Sequence, residues 1–201
     1  MARTVGGVRL VLGMIALMWV LEVVDLVARH RLDTLGVQPR DADGLLGVVL
    51  APFLHFGFGH LLANTVPLIV LGLVIAFEGA RRVAAVTAIS ALASGVGVWL
   101  LAPASSITAG ASGIVFGYAT YLVARGAISR SLLYLAVGVA VVAVWGSALL
   151  IGLLPQAGVS WLGHLFGGLG GALAARLLHD RTGRATAAAA GTLPSPHSGG
   201  S

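Results

Sequence analysis

Apolar residues in this chain come in long unbroken runs instead of alternating with polar ones. Six runs stand out, at about residues 8–29, 60–77, 83–102, 112–125, 131–152 and 161–179. A helix needs about 20 apolar residues to cross a bilayer, within a range of about 17–25. Five runs meet that length. The fourth is short and closed by Arg125, so its helix is expected to begin below the membrane surface. The pattern predicts an all-α polytopic membrane protein with six transmembrane helices. A further apolar stretch, Gly44 to Gly59, is too short to span and is broken by Pro52, Gly57 and Gly59. It reads as an interfacial or re-entrant segment within the long loop 30–59.

Composition agrees. Of 201 residues, 58% are hydrophobic and 9% charged, and mean hydropathy is +0.98. A soluble domain carries about 25% charged residues, so this chain cannot cover a water-facing surface. Cysteine is absent, which excludes disulfides and thiol catalysis. All 12 basic residues are arginines, and the net charge is +5. They sit at the ends of the runs, which argues for a topology signal and against nucleic-acid binding. Arg3, Arg9, Arg81, Arg82, Arg125, Arg130, Arg176, Arg181 and Arg184 fall on one side. Arg29, Arg31 and Arg40 fall on the other, offset by Asp33, Asp41 and Asp43. Positive-inside counting puts both termini in the cytoplasm and the 30–59 loop outside. The domain reading is a cytoplasmic N-terminus at 1–7, one membrane domain at 8–180, and a disordered cytoplasmic tail at 181–201 rich in Ala, Gly, Ser, Pro and Thr. Glu22 and Asp25 share a face near the far end of the first run and read as structural.

With that topology, the second, fourth and sixth helices all run from outside to inside. Each begins with its unusual polar residues: His60 and Asn64, then Ser112, then His164. These four residues share one depth, about a turn inside the outer boundary. Helix N-termini carry free N–H groups and about +0.5 of an elementary charge. Three such ends favour an oxyanion, the species formed when a serine attacks a carbonyl. A serine needs an adjacent base, and His164 lies at the matching depth. His60 and Asn64, four apart on one helix face, are placed to donate to the oxyanion. Gly113 and Gly117 on the fourth helix, and Gly163, Gly167 and Gly171 on the sixth, repeat the spacing that lets helices approach closely in lipid.

These residues resemble the rhomboid family of intramembrane serine proteases. The resemblance rests on Gly110-Ala111-Ser112-Gly113, on His55-Phe56-Gly57-Phe58-Gly59-His60 with Asn64, and on Gly163-His164-Leu165-Phe166-Gly167 with Gly171. It covers about residues 8–180. It implies a six-helix rhomboid-like bundle and a Ser112–His164 dyad without a third carboxylate. It also implies an oxyanion hole built from His60, Asn64 and the Ser112 backbone N–H. Phe116 stands where many members have a tyrosine stacked on the catalytic histidine, and Leu46-Gly47 where many have Trp-Arg. The implied substrates are single-pass membrane proteins cut in or beside their spanning helix, in a bacterial plasma membrane, at a site open to the outer side. The segment 153–160 and the fifth helix read as cap and gate.

Other classes fit less well. There is no HExxH run for a zinc protease and no GxGD run for an aspartyl one. No metal constellation and no cofactor motif is evident, so metal and cofactor are expected to be absent. A small transporter would need paired mid-membrane charges and matched broken helices. The runner-up is a non-catalytic rhomboid-like protein that binds and escorts membrane helices.

Overall fold

The computed structural model describes residues 1–129 and 131–190, with side chains as far as His179. Arg130 and residues 191–201 of the expected tail lie outside the described residues. Seven α-helices follow in order: α1 (Ala2–Val27), α2 (Gly44–Leu50), α3 (Phe58–Ala76), α4 (Ala80–Leu101), α5 (Ser112–Ser129), α6 (Leu132–Gly152) and α7 (Trp161–Ala190). The six long ones coincide with the six apolar runs. Four of them, α1, α3, α4 and α6, are each long and apolar enough to cross a membrane. The six-span expectation is met only to that extent. α5 and α7 are diluted by glycine, Ser112, Arg125 and His164, which they can carry because other helices enclose them.

α5 is the centre of the bundle. Every residue from Gly113 to Ala119 is buried, and the helix packs on α7, α6, α4 and α3. α1 turns one stripe inward, formed by Gly7, Val11, Ile15, Met18, Glu22 and Asp25, the three-and-four spacing of a helix face. α6 buries only Gly138 and Val141 and rests chiefly on α5. It is the least embedded long helix.

α7 lies in the groove between α4 and α5, and glycine makes this possible. A Cβ at Gly167 would collide with the Gly113 carbonyl, and one at Gly171 with the Gly117 carbonyl. Gly97 of α4 leaves room for the Phe166 ring in the same way. Hydroxyls tie the seams: Thr120 Oγ1 donates to the Gly168 carbonyl at 2.7 Å and Ser94 Oγ to the Gly163 carbonyl at 2.9 Å. α7 also continues to Ala190, past the boundary assigned to the tail. Its run of alanines has the highest helix propensity of any residue.

Where α3 gives way to α4, at the end of the bundle away from the start of α5, Glu78 pairs with Arg82 at 3.3 Å and with Arg125 at 3.7 Å. It also accepts from the Tyr121 hydroxyl at 3.0 Å. Arg125 is buried and reaches His179 at 2.8 Å. It is an interior ion-pair member as well as the charge that closes its run.

The long loop is folded down onto α4. α2 packs there with Val48 against Gly95, so the apolar stretch 44–59 forms a short helix and a 3₁₀ turn (Ala51–Phe53). Arg40 donates to the Leu100 and Ala102 carbonyls at 3.1 and 2.8 Å. Trp99 Nε1 donates to the Asp41 carbonyl at 2.8 Å. At Leu46-Gly47 a side chain on Gly47 would strike the Gly36 carbonyl, so Arg40 and Trp99 supply the anchorage at this place.

Replacing Gly171 by alanine forces backbone apart along α5–α7, and overpacking of this kind costs about 1–3 kcal/mol. Gly13, with no atom near its missing Cβ, is the control. Gly171→Ala is expected to lower the unfolding temperature in detergent, and Gly13→Ala to leave it equal or higher. Equal behaviour of the two variants would contradict the packing described.

Candidate active site

The site forms where α3, α5 and α7 begin. Ser112 is the first residue of α5. The strand of loop before it is fixed at two points. The Gly110 N–H donates to the Ala51 carbonyl at 2.8 Å, and the Ala111 N–H to His55 Nε2 at 3.2 Å. Gly110 has φ of 120°, a left-handed conformation open to glycine. A Cβ here would also lie 2.6 Å from a carbon of the His60 ring. Glycine thus serves twice, for the turn and for the approach of the imidazole.

His164 is held on two sides of its ring. It is 8% exposed. Its ring stacks on Phe116, with centroids 4.2 Å apart and planes 7° from parallel. Its Nδ1 lies 2.7 Å from the Gly152 carbonyl at the end of α6. A carbonyl only accepts, so Nδ1 carries the proton and Nε2 keeps the free lone pair. A side chain on Gly152 would come within 2.7 Å of the Phe116 ring and 3.1 Å of His164 Nδ1. Gly152 is therefore part of the site. Nothing in the sequence marks this one glycine among 29; its only signal is its position at the end of the fifth run.

His60 Nδ1 accepts the Phe56 N–H in a long 3.4 Å bond, which leaves Nε2–H as a donor. Asn64 is 5% exposed, and its Nδ2 spends one hydrogen on the His60 carbonyl at 2.9 Å. The second hydrogen is free for another acceptor. His60, Asn64, Ser112, Phe116 and His164 all line one cleft of about 1120 Å³, closed on one flank by Trp145 and Leu149 of α6. Ser112 and His164 share its wall without a direct hydrogen bond between them in this conformation. Active-site hydrogen bonds often tighten only when substrate is bound. Of the supporting glycines, Gly113, Gly117, Gly163, Gly167 and Gly171 all lie along the seams around α7.

His55 is 1% exposed. Burial, with the neighbouring His60 imidazole adding to it, pushes its pKa down to about 4. It is the neutral acceptor that fixes Ala111. Elsewhere, Asp25, His30 and Asp33 come together at the C-terminal end of α1, with one ligand atom from each inside 4.8 Å.

A helical bundle with four helices long and apolar enough to cross a membrane, and a polar cleft between helix ends, fits a multi-pass membrane protein. The rhomboid domain family model matches residues 42–181. The chain belongs to the rhomboid family. Uncharacterized proteins of Mycobacterium bovis and Mycobacterium tuberculosis are each 38% identical to it over 185 residues, covering 88% of this chain and 77% of theirs. An uncharacterized protein of Mycobacterium leprae is 38% identical over 183 residues, covering 87% and 72%.

His55 titrates near 4 folded and near 6.5 unfolded, so the unfolded chain binds more protons between those values. Stability therefore rises with pH across that window and is lost as pH falls through it. At about 1.4 kcal/mol per unit the full loss is about 3 kcal/mol. His55→Gln, which keeps an acceptor, is expected to flatten the slope of denaturation midpoint against pH between 4 and 6.5. An unchanged slope would contradict the assignment.

Proposed function

We propose that the protein is an intramembrane serine endopeptidase in which Ser112 is the nucleophile and His164 the base. The observation that carries this is the pinned imidazole. Gly152 fixes its tautomer, Phe116 fixes its plane, and its free Nε2 belongs to the cleft that holds Ser112. In the first step Ser112 Oγ attacks the scissile carbonyl carbon and Nε2 takes the hydroxyl proton. The resulting oxyanion accepts from the Ser112 backbone N–H, His60 Nε2–H and Asn64 Nδ2–H. Collapse breaks the C–N bond, and His164 returns the proton to the leaving amine. Water then attacks the acyl-enzyme by the same route in reverse.

No carboxylate supports the base. The Gly152 carbonyl orients the imidazolium without neutralising it. Phe116 restricts the ring by stacking and offers no hydroxyl. The substrate must present an unwound peptide, because a helical carbonyl is already bonded; residues that weaken a helix ease this. α6 and the 153–160 segment serve as gate and cap, consistent with how little of α6 is buried. The arginine distribution supports cytoplasmic termini, six crossings and a cleft that opens to the outer side of a bacterial plasma membrane. Single-pass membrane proteins are the substrate class.

Co-expression with a tagged single-span protein tests the reading. Wild type is expected to cleave it, and Ser112→Ala and His164→Ala to abolish cleavage while the folded protein remains. His60→Ala and Asn64→Ala are each expected to cut turnover by about 10²–10³-fold, the usual effect of losing an oxyanion donor. Cleavage by Ser112→Ala at the wild-type rate would overturn the assignment. Capture of membrane helices by wild type without cleavage would favour the helix-binding alternative.

A further inference from the structure

A second polar cluster stands apart from the cleft, at the C-terminal end of α1. Arg29 and His30 both have positive φ, 57° and 60°, and the chain doubles back so that the His30 N–H closes on the Asp25 carbonyl at 2.8 Å. His30 Nδ1 then lies 3.3 Å from Asp25 Oδ2 and 3.7 Å from Asp33 Oδ2. A tetrahedral ion with bonds of about 2.1 Å holds its ligand atoms about 3.4 Å apart. The two spacings from His30 bracket that value, and the ligand atoms of all three side chains lie within 4.8 Å of one another.

A separate observation points the same way. Glu22, one turn before Asp25 on the same face, is 2% exposed, and neither carboxylate oxygen has a hydrogen-bond partner. The charges it feels are Asp33 and Asp25, with His30 opposing them. The Gly57 backbone faces the Glu22 carboxylate as a weak donor, outside hydrogen-bond geometry. Asp33 Oδ1 is likewise buried and unpartnered. Three carboxyl groups thus face one imidazole, and buried oxygens without donors are costly. A divalent cation satisfies both the charge and the oxygens.

We propose that Asp25, His30 and Asp33 bind a divalent transition-metal ion of the zinc type, with Glu22 completing or backing the shell. Mixed imidazole and carboxylate ligands suit zinc better than calcium or magnesium. The site is structural. It clips α1 to the loop that leads through Val37, paired with Thr108, toward the segment before Ser112. It is independent of the proteolytic reading.

The test is thermal unfolding of the purified full chain in detergent after chelator treatment, with and without added zinc chloride, in parallel with calcium chloride. Zinc at about 100 times its Kd is expected to raise Tm by several degrees. His30→Ala, whose side chain is half exposed, and Asp33→Asn are expected to fold and to lose the shift. Glu22→Gln is expected to weaken it by about tenfold or more in apparent Kd. No zinc-dependent shift in wild type overturns the proposal. So does a shift of equal size in His30→Ala, or one that calcium reproduces in full.

Discussion

The contact between α5 and α7 is the constraint on which the rest depends. Backbone meets backbone there, with the Gly113 and Gly117 carbonyls occupying the space where Gly167 and Gly171 would carry side chains. In lipid, apolar surface gives little drive for helices to associate, because lipid tails are as apolar as leucine. Close packing and interhelical hydrogen bonds must do it instead. The small residues allow the approach, and Thr120 and Ser94 add bonds across the two seams. The same approach sets Ser112 and His164, at the tops of the two helices, on one cleft wall.

Once the helices are that close, the polar side chains between them need partners, since an unpaired polar group in an apolar interior is expensive. Most have one. Thr87 bonds Tyr118, Thr65 receives from Trp19, and Glu78 gathers Arg82, Arg125 and Tyr121. Several groups with spare capacity gather on the cleft: the Ser112 hydroxyl, His164 Nε2, His60 Nε2–H and one Asn64 hydrogen. Unspent hydrogen-bonding capacity gathered on one water-accessible wall is what distinguishes a site from a structural network. Among the described residues, Glu22, Asp33 Oδ1, His55 Nδ1, Ser90 Oγ and Arg125 Nε depart from this rule elsewhere, and of these the Glu22–Asp33 group is the one gathered beside further carboxylate and imidazole ligands.

Much of this was legible in the sequence because membrane chemistry writes itself in one dimension. Run lengths gave the long helices, and the glycine spacing marked the α5–α7 seam. Polar residues at the starts of three runs identified His60, Asn64, Ser112 and His164 as a set. What stayed hidden depends on chain reversal. Gly152 touches His164 only because α6 ends above α7. Arg40 and Trp99 anchor the loop only once it folds onto α4. Asp25, His30 and Asp33 converge through two left-handed residues, Arg29 and His30, that no pattern of apolar positions announces. Helix α7 outran its expected end because an alanine run favours helix whether or not it is buried.

The central claim is that the architecture makes one hydroxyl nucleophilic. The measurement that bears on it most directly is covalent labelling of the purified, folded protein with a serine-directed fluorophosphonate. The account predicts a single adduct on Ser112, absent from Ser112→Ala and formed far more slowly in His164→Ala. An unlabelled wild-type protein, or an adduct that persists in Ser112→Ala, would contradict it.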